Sequence, residues 1–243
     1  MSGEWGTGGP VHDRRQRISE DIEFPRQWIE TDDAQDAGRA ASDGWGTLSD
    51  ELGDMWAPAL RDFRLDDDSA ARAVESGRNL ANQTDLGRWA YSDHMARLDQ
   101  LRQAERVVCR DLEIPVSPAM IDFSLEAGKD AGLTTRDHVS LAGWLTTEQS
   151  PDQLIVTLAH EYRHQWQLRV IEGEIPHPEG AAGRERLIDG VRSYVAEDAD
   201  WDMLAYTHNG LETEAEAYAR AVGAAFDDAM GKSERTSGES DVS

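Results

Sequence analysis

The segment from Ser150 to Gly173, SPDQLIVTLAHEYRHQWQLRVIEG, restricts the fold more than any other part of this chain. Ser150 and Gln153 fit a capping box, which marks the start of a helix. Pro151 fits the first helical position, and Gly173 fits the stop at the C-terminal end. Apolar residues recur between these signals at helical spacing: Leu154, Ile155, Leu158, Tyr162 and Trp166. The segment therefore predicts one long helix whose apolar face other elements must cover.

Two further helices are predicted before this segment. The stretch DDDSAARAVESGRNLA begins with good helix N-terminal residues, and Ser69 is the candidate N-cap. Apolar residues at helical spacing then predict a longer helix from about Asp85 to Leu112, which Pro115 and Pro118 end.

Two strands are predicted next. Residues that favour strands cluster in AMIDFSL (Ala119–Leu125) and in HVSLAGWL (His138–Leu145), with the glycine-containing loop EAGKDAG between them. We expect both to belong to a small, mostly antiparallel sheet. HVSLAGWL is either an edge strand, on which an extended peptide can pair, or an interior strand.

A further helix is predicted in the last part of the chain. The connecting segment EIPHPEGAAGRERLIDG is expected to be loop with one short helix. The final element begins near Asn209 and Gly210, and an apolar stripe follows on one helix face: Leu211, Ala215, Tyr218, Ala219, Val222 and Phe226. Together these elements predict an α+β domain over about residues 69–230.

The charge of the chain excludes several classes of partner. It carries 48 acidic and 24 basic residues, a net charge of −24, and only Lys129 and Lys232 among the basic residues are lysines. Such a surface repels phosphate groups, so we expect neither direct nucleic-acid binding nor binding to an anionic membrane. The composition is typical either of an ordinary soluble acidic protein or of a halophilic protein, for which molar salt screens the self-repulsion.

The two ends of the chain bury little apolar surface. Residues 1–68 are rich in Asp, Gly and Arg, so we expect an acidic, partly disordered N-terminal extension, and we expect a disordered tail over residues 231–243. Cys109 is the only cysteine, so no intrachain disulfide can form. Neither a secretion signal nor a run of about 18 apolar residues is recognisable, which predicts a cytoplasmic location.

The residues His160-Glu161-Tyr162-Arg163-His164 match the pattern H-E-x-x-H inside the predicted long helix. Residues four apart lie on the same helix face, so both imidazoles can point at one metal ion. A catalytic zinc site takes three protein ligands and a water, and histidine nitrogen is a preferred donor. Glu161 lies about 100° around the helix from His160, where it can act as general base on that water. The alternative is a pair of surface histidines on a core helix, but chance predicts only about 0.02 such motifs in a chain of this composition.

A third metal ligand must come from elsewhere in the chain. The downstream candidates are His177, His208, Glu212, Glu214 and Glu216. The spacing to NGLETEAEAYA suits a second helix packed against the first. Each of the three glutamates can instead belong to an acidic first turn, which the helix dipole favours. Tyr206 and His208 precede that helix and either stabilise the oxyanion of a transition state or are structural.

Two motifs together resemble a known family. H-E-x-x-H is followed by E-x-x-A-x-x-[FY]-A, here Glu212-Thr213-Glu214-Ala215-Glu216-Ala217-Tyr218-Ala219. This combination resembles the ImmA/IrrE-type metallopeptidases and related minimal gluzincins of mobile elements and stress responses, over about residues 119–230. The chain differs at Arg163, where those relatives typically carry glycine, and at Glu216, where they often carry asparagine.

The resemblance implies a zincin-like α+β fold, in which a small, mostly antiparallel sheet packs on the H-E-x-x-H helix and on a second, ligand-bearing helix. It implies His160, His164 and Glu212 as ligands of Zn2+ and Glu161 as the base, and Glu216 is a candidate partner of one histidine. The implied activity is hydrolysis of peptide bonds in a protein or peptide substrate, in a regulatory or mobile-element role. Two alternatives are a zinc-stabilised protein-binding module without catalysis and an acidic DNA mimic or antirepressor.

Overall fold

A computed structural model describes residues 56–61, 63–125, 131–147, 150–196 and 208–238. The described part contains five long helices, labelled here in chain order: α1 Asp67–Gln83, α2 His94–Asp111, α3 Asp152–Glu172, α4 Gly180–Ala196 and α5 Gly210–Gly238. Short 3-10 helices at Leu86–Tyr91 and Gly143–Thr146 and a helical turn at 56–61 accompany them. Of the predicted N-terminal extension, residues 1–55 and 62 lie outside the described part.

Three short strands form one mixed sheet in the order β1-β3-β2, with β1 Met120–Asp122, β2 Gly132–Thr134 and β3 Val139–Ala142. β3 pairs in parallel with β1 and antiparallel with β2. The fold class is thus α+β and mostly helical, but the sheet is mixed and not mostly antiparallel, since the two predicted strands pair in parallel. Between β1 and β3 the chain forms a third strand, β2, which begins at the last residue of the predicted loop and pairs with the opposite edge of β3. β3 lies in the centre, so HVSLAGWL supplies an interior strand and not an edge.

Helix α3 lies at the centre of the packing, where it contacts β2, β3, α2, α4 and α5. Its predicted apolar face is buried, and so are five of its polar residues: Glu161, Arg163, His164, Gln165 and Gln167. The predicted stop is confirmed, because Gly173 adopts a left-handed φ of 81° and its N–H bonds to the carbonyl of Val170. The predicted capping box does not form. Pro151 is the N-cap, and Ser150 only accepts a 3.3 Å hydrogen bond from the N–H of Asp152.

The most extensive helix contact joins α1 and α5. Gly77 allows this close approach, since a Cβ there would lie 2.3 Å from the carbonyl oxygen of Val222 and 2.8 Å from the backbone nitrogen of Phe226. All six residues of the apolar stripe predicted for the last helix are buried. The prediction of that helix is therefore confirmed, and its first turn is held against the centre of the molecule.

Two helices begin at aspartates that the sequence patterns do not single out. Asp66, not Ser69, caps α1, because its side chain accepts the N–H of Ser69 at 2.9 Å. Asp93 caps α2 by accepting the N–H of Ala96 at 2.9 Å. The helix predicted from about Asp85 to Leu112 is therefore confirmed over His94–Asp111, but its predicted start is wrong, since Asp93 starts a new helix after the 3-10 turn.

The C-terminal half of the chain is more helical than its composition predicts. Helix α4 covers Gly180–Ala196, where one short helix within a loop is expected. Helix α5 extends to Gly238, beyond residue 231, where the tail is expected to begin. No helix in the described ranges combines the length and the apolar composition needed to cross a membrane.

Candidate metal centre

The two histidines of the H-E-x-x-H motif lie side by side on one face of α3. Their Nε2 atoms are 3.0 Å apart, and their rings meet edge to face with centroids 4.6 Å apart. An unbroken helix produces this arrangement, because residues at i and i+4 lie one turn apart on the same face. The two ring nitrogens therefore converge.

Glu212, from the first turn of α5, completes a triangle of donor atoms. Its Oε2 lies 3.4 Å from Nε2 of His160 and 3.3 Å from Nε2 of His164. Ligand atoms of a tetrahedral zinc site with bonds of about 2.0–2.1 Å lie roughly 3.3 Å apart, so these spacings fit such a site. Glu212 is only 1% exposed, and its Oε2 has no hydrogen-bond partner among the described residues. A buried carboxylate oxygen of this kind favours a positively charged occupant.

The electrostatics of the cluster also favour positive charge between these groups. Burial lowers the pKa of His160, but the adjacent carboxylates of Glu212 and Glu216 outweigh burial and hold this pKa well above its usual value. Burial also lowers the pKa of His164, but the charge of Glu212 outweighs burial, so this pKa lies above its usual value. Burial opposes the ionisation of Glu212, yet the two histidines bring its carboxyl pKa below the usual value. The carboxylates thus favour positive charge at the histidine nitrogens, and a divalent cation can supply that charge instead.

Glu216 lies one turn after Glu212 and faces the other nitrogen of His160. Its Oε2 is 3.4 Å from Nδ1 of His160, and its Oε1 accepts a hydrogen bond from Nε of Arg220 at 2.6 Å. A carboxylate at this position favours the tautomer with the proton on Nδ1, which leaves Nε2 as the metal-binding atom. The position of Glu216 thus agrees with its interpretation as a histidine partner.

Gln167 has the same relation to His164. Its Oε1 lies 2.8 Å from Nδ1 of His164, while its Nε2 donates to the carbonyl of Leu211 at 2.9 Å and to Oε2 of Glu214. Because two acceptors hold the amide nitrogen, the amide oxygen must face the histidine. Nδ1 of His164 therefore carries the proton, and its Nε2 is left for the metal.

Arg163, between the two histidines of the motif, is completely buried. Its Nε donates to Oε1 of Glu214 at 2.9 Å, and its guanidinium also donates to Oγ of Ser69 at 2.8 Å. The rings of Trp166 and Tyr218 lie against it, with centroids 3.6 and 4.7 Å from its Cζ. Glu214 is therefore engaged in an ion pair and does not face the histidines. Arg163 joins α1, α3 and α5 behind the metal-binding face.

Glu161 is 7% exposed and is not a member of the His160, His164 and Glu212 group. Its carboxylate lies against strand β2, where Oε2 accepts a hydrogen bond from Oγ1 of Thr134 at 2.5 Å. Glu161 is thus a carboxylate on the helix of the two histidines that lies against β2 and outside the donor triangle. Such a group can take up a proton without binding the metal.

The remaining sequence candidates lie elsewhere. His177 is close to Asp66 and Glu179, which form with it the other possible ligand group in the described ranges. Nδ1 of His177 accepts the N–H of Glu179 at 3.0 Å, so a neutral ring carries its proton on Nε2 and offers no lone pair to a metal. His208 is exposed, and Tyr206 lies outside the described residues. An oxyanion role for either stays a prediction.

Sequence reasoning missed three contributors to the site. Gln167 follows His164 by three residues, so helical spacing alone contains the signal that places it beside the ring. The ion pair between Arg163 and Glu214 has no local signal, because the partners lie on different helices. Thr134 has none either, since it belongs to a strand that the pattern does not predict.

Comparison of the chain with protein-family models, with curated proteins and with solved structures finds no match.

Proposed function

We propose that this protein is a zinc-dependent metallopeptidase with a zincin-like arrangement of helices and sheet. His160, His164 and Glu212 bind the metal in this proposal. The observation that carries it is the triangle of donor atoms, with spacings of 3.0, 3.3 and 3.4 Å. Two imidazole nitrogens and one carboxylate oxygen are the ligand types of catalytic zinc sites.

Glu161 is the general base of the proposed reaction. When bound, zinc supplies a Lewis acid that polarises a carbonyl oxygen and acidifies water. The carboxylate of Glu161 takes a proton from the water that attacks the peptide carbonyl. It then delivers this proton to the amide nitrogen as the C–N bond breaks, so the products are a carboxylic acid and an amine and the base is regenerated. Glu216 and Gln167 hold the histidine rings in the required tautomer.

Elemental analysis of the purified protein tests the metal. We expect about one zinc ion per chain in the wild type and almost none in His160→Ala or Glu212→Ala, because each variant removes one of three protein ligands. A wild-type protein without zinc would contradict the proposal.

Glu161→Gln separates a peptidase from a protein in which zinc only joins two helices. The amide keeps the shape of the side chain but cannot accept the proton, so cleavage of casein is expected to fall at least about 100-fold with zinc content unchanged. A binding module would show no cleavage in the wild type. A DNA mimic would instead bind a basic DNA-binding protein, and this binding would persist after zinc is removed with a chelator.

A further inference from the structure

Thr134 on strand β2 makes a direct contact with the side chain of Glu161. Thr134 is 1% exposed, and its Oγ1 lies 2.5 Å from Oε2 of Glu161 and 2.9 Å from the backbone carbonyl oxygen of the same residue. A hydroxyl has only one proton to donate, and a charged acceptor forms the stronger and shorter bond. The hydroxyl of Thr134 therefore donates to the Glu161 carboxylate, and this hydrogen bond restricts the orientation of the carboxylate.

Gly132 provides the space that this carboxylate occupies. A Cβ on Gly132 would lie 2.6 Å from both Cγ and Oε1 of Glu161 and 2.7 Å from its Cδ. Any side chain at this position would push the carboxylate away. Residues i and i+2 of a strand face the same side, so the gap at Gly132 and the hydroxyl of Thr134 form one cradle for Glu161.

The sheet fixes the position of this cradle. Gly132 pairs with Leu141 and Thr134 with Val139 of the central strand, and both of these partners are completely buried. The metal-binding histidines are carried by α3, whereas the cradle is carried by β2. The orientation of the Glu161 carboxylate is therefore set from outside the helix that bears it.

We propose that Thr134 and Gly132 are positioning residues for the general base, and that they hold the carboxylate of Glu161 in the orientation from which it exchanges the proton. This inference rests on the proposed peptidase function. The terminal torsion of a glutamate is broad, so without the hydroxyl the carboxylate samples other orientations. A displacement of about 1 Å in a reacting group can reduce the rate about 100-fold.

Thr134→Val tests the hydroxyl, because valine keeps the shape of threonine. In the zinc-loaded full chain we expect kcat on labelled casein to fall about 10- to 100-fold, with KM and zinc content unchanged. Thr134→Ser returns the hydroxyl and is expected to restore most of kcat. Gly132→Ala is expected to lower kcat to a similar extent, since the added methyl group displaces the carboxylate.

Two matched control variants are available. Thr146→Val removes another buried hydroxyl, which donates to the carbonyl of Gly143 at 2.8 Å. Gly231→Ala adds a methyl group where nothing lies within 4 Å. Both controls are expected to retain the wild-type kcat, so a loss confined to the cradle variants is not a general effect of the substitutions.

A second readout is independent of activity. Thr134→Val is expected to lower the Tm of the full chain by about 3–8 °C when Glu161 is present, since a hydrogen bond to a charged group is lost. The same substitution is expected to have a smaller effect in a Glu161→Ala background, where that bond is already absent. Additive shifts in Tm would overturn the inferred contact.

The outcomes separate this inference from the proposed function. If the wild type cleaves casein and Thr134→Val has the same kcat, the inference is overturned and the peptidase proposal stands. A loss that Thr134→Ser does not restore also overturns it, because the loss then comes from packing and not from the hydroxyl. If the wild type cleaves no substrate, the proposed function fails and the inference fails with it.

Discussion

Gln167 connects His164 to the contact between α3 and α5, because its amide bonds to the ring on one side and to Glu214 on the other. We expect Gln167→Leu to reduce the zinc affinity about 10- to 100-fold, since the ring is no longer held in its metal-binding orientation. Competition with a chromophoric chelator measures this affinity. Gln165→Leu is the matched control, as Gln165 is equally buried on the same helix but contacts the carbonyl of Thr135. Equal losses in both variants would contradict the role of Gln167.

The ion pair between Arg163 and Glu214 is a second feature of single residues. Arg163→Met leaves the Glu214 carboxylate buried without its cation, so we expect the free energy of unfolding to fall by about 3–5 kcal/mol. Glu214→Gln removes the uncompensated charge, and the double variant is therefore expected to recover part of that loss. Urea unfolding of the two single variants and the double variant measures the coupling between them. Strictly additive losses would show that the ion pair is not the source of the effect.

At the scale of elements, the start of α1 depends on the ionisation of Asp66. Burial raises the pKa of this carboxyl, but the hydrogen bonds with Ser69 and the positive charge of Arg163 outweigh burial, so the pKa lies below its usual value. A carboxyl whose pKa is lower in the folded state stabilises the fold above its unfolded pKa of about 3.9. This contribution is lost as the pH falls through the folded-state pKa.

We therefore expect Asp66→Ala to reduce the free energy of unfolding by about 1 kcal/mol at pH 7, the usual contribution of an N-cap. The difference from the wild type is expected to shrink below about pH 4, because the wild-type carboxyl is then protonated. Urea titrations at a series of pH values measure it. Asp66→Asn keeps an acceptor for the helix N–H groups and is the control. A difference that grows on acidification would contradict the assignment.

Helices were more predictable than strands for a physical reason. The buried face and the C-terminal end of α3 and the buried face of α5 depend on residues within a few positions of one another. Local sequence patterns can therefore predict them. The strand β2 has three residues, Gly132–Thr134, and glycine is not a strand former. The parallel pairing of β1 with β3 depends on a crossover, which local spacing does not encode.

At the scale of the whole molecule, the 48 acidic residues outnumber the 24 basic residues and leave a net charge of −24. Ion pairs can therefore neutralise at most half of the acidic side chains. If the chain is adapted to molar salt, its Tm is expected to rise between low salt and about 2 M NaCl, since a Debye length of about 3 Å or less screens the self-repulsion. Thermal melts at both concentrations measure this shift. Melts in sucrose of the same osmolality are the control, because sucrose stabilises proteins without screening charge. Equal Tm values at low and high salt would contradict the adaptation.

The sequence by itself determined which residues of α3 share a face and which residues of α5 are buried. Helical geometry places His160 and His164 together whatever surrounds them, because the i, i+4 relation is internal to the helix. Only the tertiary structure decided that Glu212 meets the histidines while Glu214 pairs with Arg163. That choice depends on how α5 is rotated against α3, and this rotation is set by packing between residues distant in the chain.

The same distinction applies to the base. The sequence placed Glu161 beside the first histidine, but only the packing of the sheet against α3 brought the hydroxyl of Thr134 and the gap at Gly132 to its carboxylate. A contact between a strand and a helix is stabilised by burial of both, and no residue near Glu161 in the sequence records it. Local spacing therefore determined the reactive groups, and tertiary packing decided how they are held.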